Sequence, residues 1–209
     1  MNKIELFDGQ GYVELVDHMG DELRIVNAAK ISYGRQTDTL DENSKGILKS
    51  LLSNGHTSPL EQVCFTFLVK APIFVVRQWF RHRTWSYNEK SRRYSKDTPE
   101  FYIPEYFTGG NVNPEDKSAV ERVFNASYIY AKDMYETLLA KGVKAEQARI
   151  VLPTAMMTEF YGTVDLSNLI KFLNLRDDAH AQYEIQEYAK AIKTLVKPIL
   201  PTVAEALGW

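Results

Sequence analysis

The chain has 209 residues, 44% hydrophobic and 25% charged, with 25 basic against 27 acidic side chains. Those are globular values for one compact domain, taken as residues 1–209, and they exclude a disordered chain, a collagen-like repeat and, with one cysteine, a disulfide scaffold. The chain shows neither a charged-then-apolar leader nor an apolar run of about 20 residues, so it reads as a soluble protein of a reducing compartment, the cytoplasm.

Residues 12–18 alternate like a half-buried strand, and 22–31 and 41–53 carry apolar residues at helical spacing, the second helix stopping at Asn54-Gly55. Ser58-Pro59-Leu60-Glu61 reads as a capping box opening a short helical turn after His56. Val63 to Lys70 alternates as a strand, and Pro72 opens a helix from Ile73 to about Arg83. Residues 84–98 have no clear period and predict an ordered polar loop, the natural place for a ligand. Phe101 to Ile103 reads as a short strand and Gly109-Gly110-Asn111 as a turn. A long helix then runs from about Glu115 to Lys141, and another from Ala145 stops at Pro153. Met156 to Val164 reads as a strand, Asp165 caps a helix ending near Arg176, and a last long helix spans about Ala179 to Val196 before a short tail. Helices outweigh strands, which gives an α+β or α/β core.

Charge is uneven along the chain. From Arg77 to Lys96 there are seven basic residues and one acid, +6, which leaves −8 on the remainder of a chain whose net charge is −2. Five of the seven are arginines, whose planar fork matches phosphate or carboxylate. One compact basic patch on a nearly neutral protein suits a few phosphates on a small ligand better than a polynucleotide track. Trp79, Phe80, Trp85, Tyr87 and Tyr94 interleave with this run as nucleic-acid stacking residues do, although 79 and 80 are as easily core.

Residues 81–94 read Arg-His-Arg-Thr-Trp-Ser-Tyr-Asn-Glu-Lys-Ser-Arg-Arg-Tyr. This matches R-H-R-x-x-S-x-N-E-x-S-x-R-Y and resembles the signature of flavin-dependent thymidylate synthases. The resemblance extends to Tyr12–Asp17, Gly55-His56 with Ser58-Pro59 and Glu61, Lys70–Phe80, Ala148–Pro153, Phe172–Arg176 and His180–Gln182. It implies a helix-rich single domain around a small, mostly antiparallel sheet. It also implies conversion of dUMP to dTMP, with 5,10-methylenetetrahydrofolate as one-carbon donor and with FAD, reduced by NADPH, as hydride source. The protein is then a homotetramer with sites shared between subunits, and neither nucleic acid nor membrane is a partner.

The same resemblance assigns residues. Arg81, His82, Arg83 and Glu89 fall at the FAD site, with His56 and Ser58 in the same region, although His56 is also readable as a turn residue. Gln78, Arg81, Ser91, Arg92, Arg93 and Arg149 contact dUMP, Arg149 at its phosphate. Without the resemblance, Arg149 reads as half-buried and paired with Glu146 or Glu159, and Arg176 as a helix C-terminal cap. With it, Arg176 stabilises the N3-deprotonated uracil by charge, since an arginine does not accept a proton. Cys64, between Val63 and Phe65 in an apolar strand, reads as structural rather than nucleophilic. Asp165, Ser167 and Lys171 occupy positions that touch FAD in the family but depart from its usual Asn, Arg and Asn or His. Asp165 keeps acceptors and loses amide donors; Lys171 offsets its charge, reaches the pyrophosphate or lies in solvent. Arg92 stands where the family often has Gly, so a backbone contact survives there. His18 reads as a strand-end surface residue, His180 as structural, and the histidines and cysteine show no metal-ligand spacing.

Overall fold

The structure is a computed structural model that describes residues 2–94, 97–104 and 112–209. The expected turn at Gly109-Gly110-Asn111 lies outside the described residues, as does Lys96 of the basic run. Five strands, β1 (Lys3–Leu6), β2 (Gly11–Met19), β3 (Cys64–Pro72), β4 (Ser86–Glu89) and β5 (Met157–Asp165), form one sheet of order β1-β2-β3-β5-β4. Every neighbouring pair is antiparallel, so the expected mostly antiparallel sheet is antiparallel throughout.

The period-2 patterns set which face is buried. Val13, Leu15, Phe65, Phe67, Val69, Phe160 and Val164 point to one side, each no more than 9% exposed. In β3 these alternate with half-exposed Cys64, Thr66, Leu68 and Lys70. The alternation of β2 fails past a register shift between Leu15 and Asp17: Asp17, due on the inner face, is exposed. Against the inner face pack α6 (Leu166–Arg176) and α7 (Tyr183–Val196), through buried residues such as Leu169, Phe172, Ile185 and Tyr188. Each such side chain contributes about 1.5–3 kcal/mol on burial.

Three helices are capped by an aspartate side chain, as residue order predicts for α6. Asp21 accepts from the Arg24 amide at the head of α1 (Glu22–Lys30), Asp41 from the Ser44 amide at α2 (Glu42–Ser53), and Asp165 from the Asn168 amide at α6. Each cap contributes about 1 kcal/mol. Ser58 to Glu61 departs from expectation. The segment is a single 3-10 turn, Leu60–Gln62, with no side-chain cap bond, so the capping box does not form.

The helix opened by Pro72 is shorter than its pattern predicts. As α3 it spans Ile73–Trp79, so Arg81 to Arg83 lie beyond it and Gln78 and Arg81 do not share a helical face. Its first amides are satisfied by tertiary carbonyls, Ile73 N–H by Met156 and Phe74 N–H by Thr154, both at 3.0 Å. At its end the Tyr87 hydroxyl donates to the carbonyls of Trp79 and His82. Tyr87 can do so because residues 86–89, expected as loop, form the polar edge strand β4, with Tyr87 opposite Gly162 of β5.

The remaining helices are α4 (Lys117–Ala140), the single turn α5 (Ala145–Ala148) continued by a 3-10 turn through Val151, and α8 (Pro201–Leu207). α7 begins at Tyr183 rather than near Ala179. The tail is helical because Pro201 sits in its first turn and the buried Glu22 carboxylate accepts from the Val203 amide at 2.9 Å. Phe101 makes only an isolated bridge with Met156. Among the described residues no helix is long and apolar enough to cross a membrane.

Candidate active site

The basic run folds around an aromatic cluster. Trp79, fully buried, packs on Phe172 at 4.7 Å and Phe160 at 5.3 Å between ring centroids, and on Trp85 and Tyr188 at 5.8 Å. The Phe80 and Tyr87 rings pack tilted by 32°, their centroids 4.2 Å apart. The stacking platform a polynucleotide would need is therefore spent on the core: Trp79 and Trp85 are at most 5% exposed, and only Tyr94, at 77%, faces outward.

Above this cluster the ends of α3, α6 and α7 converge. Arg176, the last residue of α6, donates from Nε to His82 Nε2 at 3.0 Å and from Nη2 to the Gln78 carbonyl at 2.8 Å. The Gln78 side-chain amide donates to Gln182 Oε1 at 2.6 Å, just ahead of α7. An arginine only donates, so the His82 nitrogen that meets it is an acceptor and its ring is neutral. Burial first, then the Arg176 charge, pull the imidazole pKa down to about 4. Burial also lowers the Arg176 pKa. Of five guanidinium N–H groups, two are held within the described chain.

At the other end of α3, Ile73 borders a cavity of about 390 Å³ lined by Glu89, Lys90, Ser91, Arg92, Arg149 and Thr158, among others. Its charged lining is three cations against one carboxylate, a site for an anion. β4 delivers Glu89, and the Lys90 amide donates to the Glu159 carbonyl at 2.8 Å, which anchors the turn that follows. In that turn the Ser91 hydroxyl accepts from the Arg93 amide at 3.3 Å. Arg92 is buried and donates to the Asp97 carbonyl. Arg149 is exposed rather than half-buried, and it bonds the Glu146 backbone carbonyl at 3.3 Å; the Glu146 carboxylate pairs instead with Arg93. Arg93 thus turns away from the cavity. Gln78 lies five residues past Ile73, roughly 7 Å along the helix.

The remaining expected residues lie elsewhere. His56 and Ser58 line a larger cleft of about 1290 Å³ between α1 and α2, where Arg24, Lys30 and Arg35 supply positive charge. Asp165 is committed to its cap, with Oδ2 also taking the Asn168 side-chain amide at 2.5 Å, and Lys171 donates to Asn168 Oδ1 at 3.1 Å. Asp165 and Lys171 are thus joined through one amide. Ser167 is 2% exposed and its hydroxyl has no partner among the described residues. Arg81 and Arg83 are exposed, and among the described residues no bond of theirs joins the cluster. Gln182 and Tyr87 act as hydrogen-bond partners of this region, a role that residue types did not assign to them. Gln182 is 104 residues from Gln78, and no local pattern links them.

Cys64 opens β3 opposite Asp165 and Met19 and is half-buried. Burial and then the Asp165 charge raise its thiol pKa, against a smaller opposing effect of Arg24. His18 is exposed at the end of β2, and His180 is exposed and bonded to Asp178 at 2.9 Å. Among the described residues no group of three or more His, Cys, Asp or Glu gathers to hold a metal ion.

Comparisons with known proteins identify the family. The family model described as "Thymidylate synthase complementing protein" matches residues 14–202. A "Flavin-dependent thymidylate synthase" from Thermotoga neapolitana is 47% identical over 98% of this chain and 93% of its own length. One of the same description from Thermus thermophilus is 46% identical over 96% of this chain and 74% of its own. Among solved structures, the UMP/dUMP methylase PolB from Streptomyces cacaoi bound with 5-Br dUMP superposes with a TM-score of 0.82 at 33% identity, covering 95% of this chain and 94% of PolB. The match along nearly the whole chain, together with the Arg81 to Tyr94 motif on its buried aromatic base, shows that this chain belongs to the flavin-dependent thymidylate synthase family.

Proposed function

We propose that the protein converts dUMP to dTMP in the cytoplasm, using 5,10-methylenetetrahydrofolate as one-carbon donor and NADPH as reductant of a bound FAD, with no cysteine nucleophile. The observation that carries this is Arg176, desolvated and held by two of its donors where three helices meet, with donors left over for a ligand. A fixed guanidinium in a partly dry site stabilises negative charge developing on a uracil ring, and it does so without taking a proton. The cavity with Ser91, Arg92 and Arg149 would hold the phosphate of the same nucleotide by charge-assisted hydrogen bonds.

FAD, when bound, supplies the hydride. The donor set of the larger cleft fits a phosphate-bearing cofactor: Arg24, Lys30 and Arg35 for the charge, His56 and Ser58 for hydrogen bonds. The orphaned, buried Ser167 hydroxyl near the head of α6 supplies a further polar contact. Asp165 and Lys171 act as one neutralised unit, so Asp165 does not repel the cofactor and Lys171 keeps further donors. Arg81, His82, Arg83 and Glu89 complete the FAD site, with Glu89 on the nucleotide side.

These residues fall into separate regions of one chain, which supports sites completed by neighbouring subunits of a homotetramer. Val123, Ile129, Tyr130 and Ile150 are each at least 63% exposed, and Ile150 adjoins Arg149. Apolar side chains so exposed suit contact with a second copy. Cys64 stays structural, because a thiol whose pKa is raised carries little thiolate.

The test is Arg176→Ala. The purified variant should keep its flavin absorbance and form no dTMP; normal turnover would overturn the assignment. Sedimentation should give four chains per particle, and a fully active monomer would contradict shared sites.

A further inference from the structure

We infer that His82 is a positioning residue for Arg176, holding the guanidinium through its unprotonated Nε2 so that the Nη1/Nη2 end of the fork is turned toward the ligand. The inference rests on the reading of Arg176 given above, and it assigns to the His82 side chain a role beyond the cofactor contact proposed there.

The geometry leaves the ring little choice. The His82 amide donates to the Trp79 carbonyl at 2.9 Å, and the His82 carbonyl accepts from Tyr87 at 3.0 Å, so its backbone is fixed on both sides. Its imidazole stands edge-on to Phe172, centroids 4.9 Å apart at 71°. Phe172 lies on α6, four residues before Arg176, which is one turn along the same face. Ring and guanidinium are therefore aligned by one helix, and Nε2 meets Nε at 3.0 Å.

The two engaged donors of Arg176, Nε and Nη2, belong to one edge of the planar fork. With that edge pinned to His82 and to the Gln78 carbonyl, three N–H groups at the far end are presented as a rigid pair of nitrogens suited to a planar acceptor. Without the Nε2 acceptor the guanidinium keeps one anchor, to a backbone carbonyl, and can rotate about it. Since Nε2 accepts, the single proton of the neutral ring sits on Nδ1, the one ring donor His82 retains for a ligand.

Two measurements on the full-length protein decide this. The chain has four histidines, so ¹⁵N-histidine spectra are simple, and the His82 signal is identified by its loss in His82→Gln. The expected result is the Nδ1–H tautomer, unchanged from pH 8 to 5.5; an Nε2–H tautomer, or protonation near pH 6.5, overturns the inference. In steady-state assays normalised to bound flavin, His82→Gln places a carboxamide oxygen near the Nε2 position, whereas His82→Leu offers bulk without an acceptor. A hydrogen bond to a charged group corresponds to roughly a 10-fold to 100-fold effect. His82→Leu should therefore lose about that much in kcat, and His82→Gln should restore most of it. Equal loss in the two variants overturns the inference. An inactive Arg176→Ala beside a fully active His82→Leu removes the positioning role alone, whereas an active Arg176→Ala removes the function of Arg176 itself. If His82→Leu does not fold, the tautomer in the native protein still decides.

Discussion

Gly11→Ala is expected to destabilise the frame on which the site stands. Gly11 opens β2, and a Cβ added there would lie 2.2 Å from the Tyr188 hydroxyl oxygen and 3.0 Å from the Lys70 carbonyl oxygen. Tyr188 cannot swing aside: it is fully buried, with Phe7 at 5.6 Å and Trp79 at 5.8 Å against its ring. Its hydroxyl donates to the Lys70 carbonyl at 2.6 Å, joining α7 to β3. Displacing it leaves buried polar groups unpaired, about 1–3 kcal/mol, and adds overpacking of about 1–3 kcal/mol. The sum, about 2–6 kcal/mol, corresponds for a chain of this size, at about 2–4 °C per kcal/mol, to a fall in Tm of roughly 4–24 °C. Calorimetry of Gly11→Ala, Tyr188→Phe and the double variant checks it. Removing the hydroxyl should relieve much of the alanine's cost, giving a coupling energy of at least about 1 kcal/mol. A Gly11→Ala protein that melts with the parent, or strict additivity in the cycle, would refute the steric argument.

Cys64→Ala should retain dTMP formation at a rate close to the parent; complete loss in a folded variant would restore a thiolate route. Stability should also depend on pH through His82. Its imidazole takes a proton near pH 6.5 when unfolded and only at about 4 when folded, so between these values the unfolded chain binds more protons. Unfolding free energy therefore falls as pH drops from about 6.5 to about 4 and is flat above, by on the order of 1–2 kcal/mol once partial exposure is discounted. Urea midpoints at pH 7 and 4.5 should show a smaller difference for His82→Gln than for the parent, and an equal difference would contradict the linkage.

Residue order reveals those features whose physics is local. The alternation in β3, the aspartate heading α6 and the density of fixed positions from Arg81 to Tyr94 each carry their meaning within a few residues. What it conceals depends on distant partners. The end of α3 is set by a tyrosine on an edge strand too short and polar to show a period. The last helix depends on Glu22, 181 residues from the amide it caps. In the site, Arg176 and Gln78 are visible as candidates. That His82 turns its ring nitrogen to Arg176, and that Gln182 takes the Gln78 amide, follow only once α3, α6 and α7 are brought together. Arg149 shows the opposite failure: an apolar neighbourhood in sequence suggests burial, yet the 3-10 turn leaves both it and Ile150 outward.

The central claim is tested most directly by one anaerobic turnover, with flavin on the protein reduced beforehand and then mixed with dUMP and 5,10-methylenetetrahydrofolate. Flavin oxidation, followed by absorbance, should proceed in step with dTMP, one for one, in the parent and in Cys64→Ala. Folded protein that takes up no flavin, or whose reduced flavin persists while dUMP is left unchanged, would contradict the account.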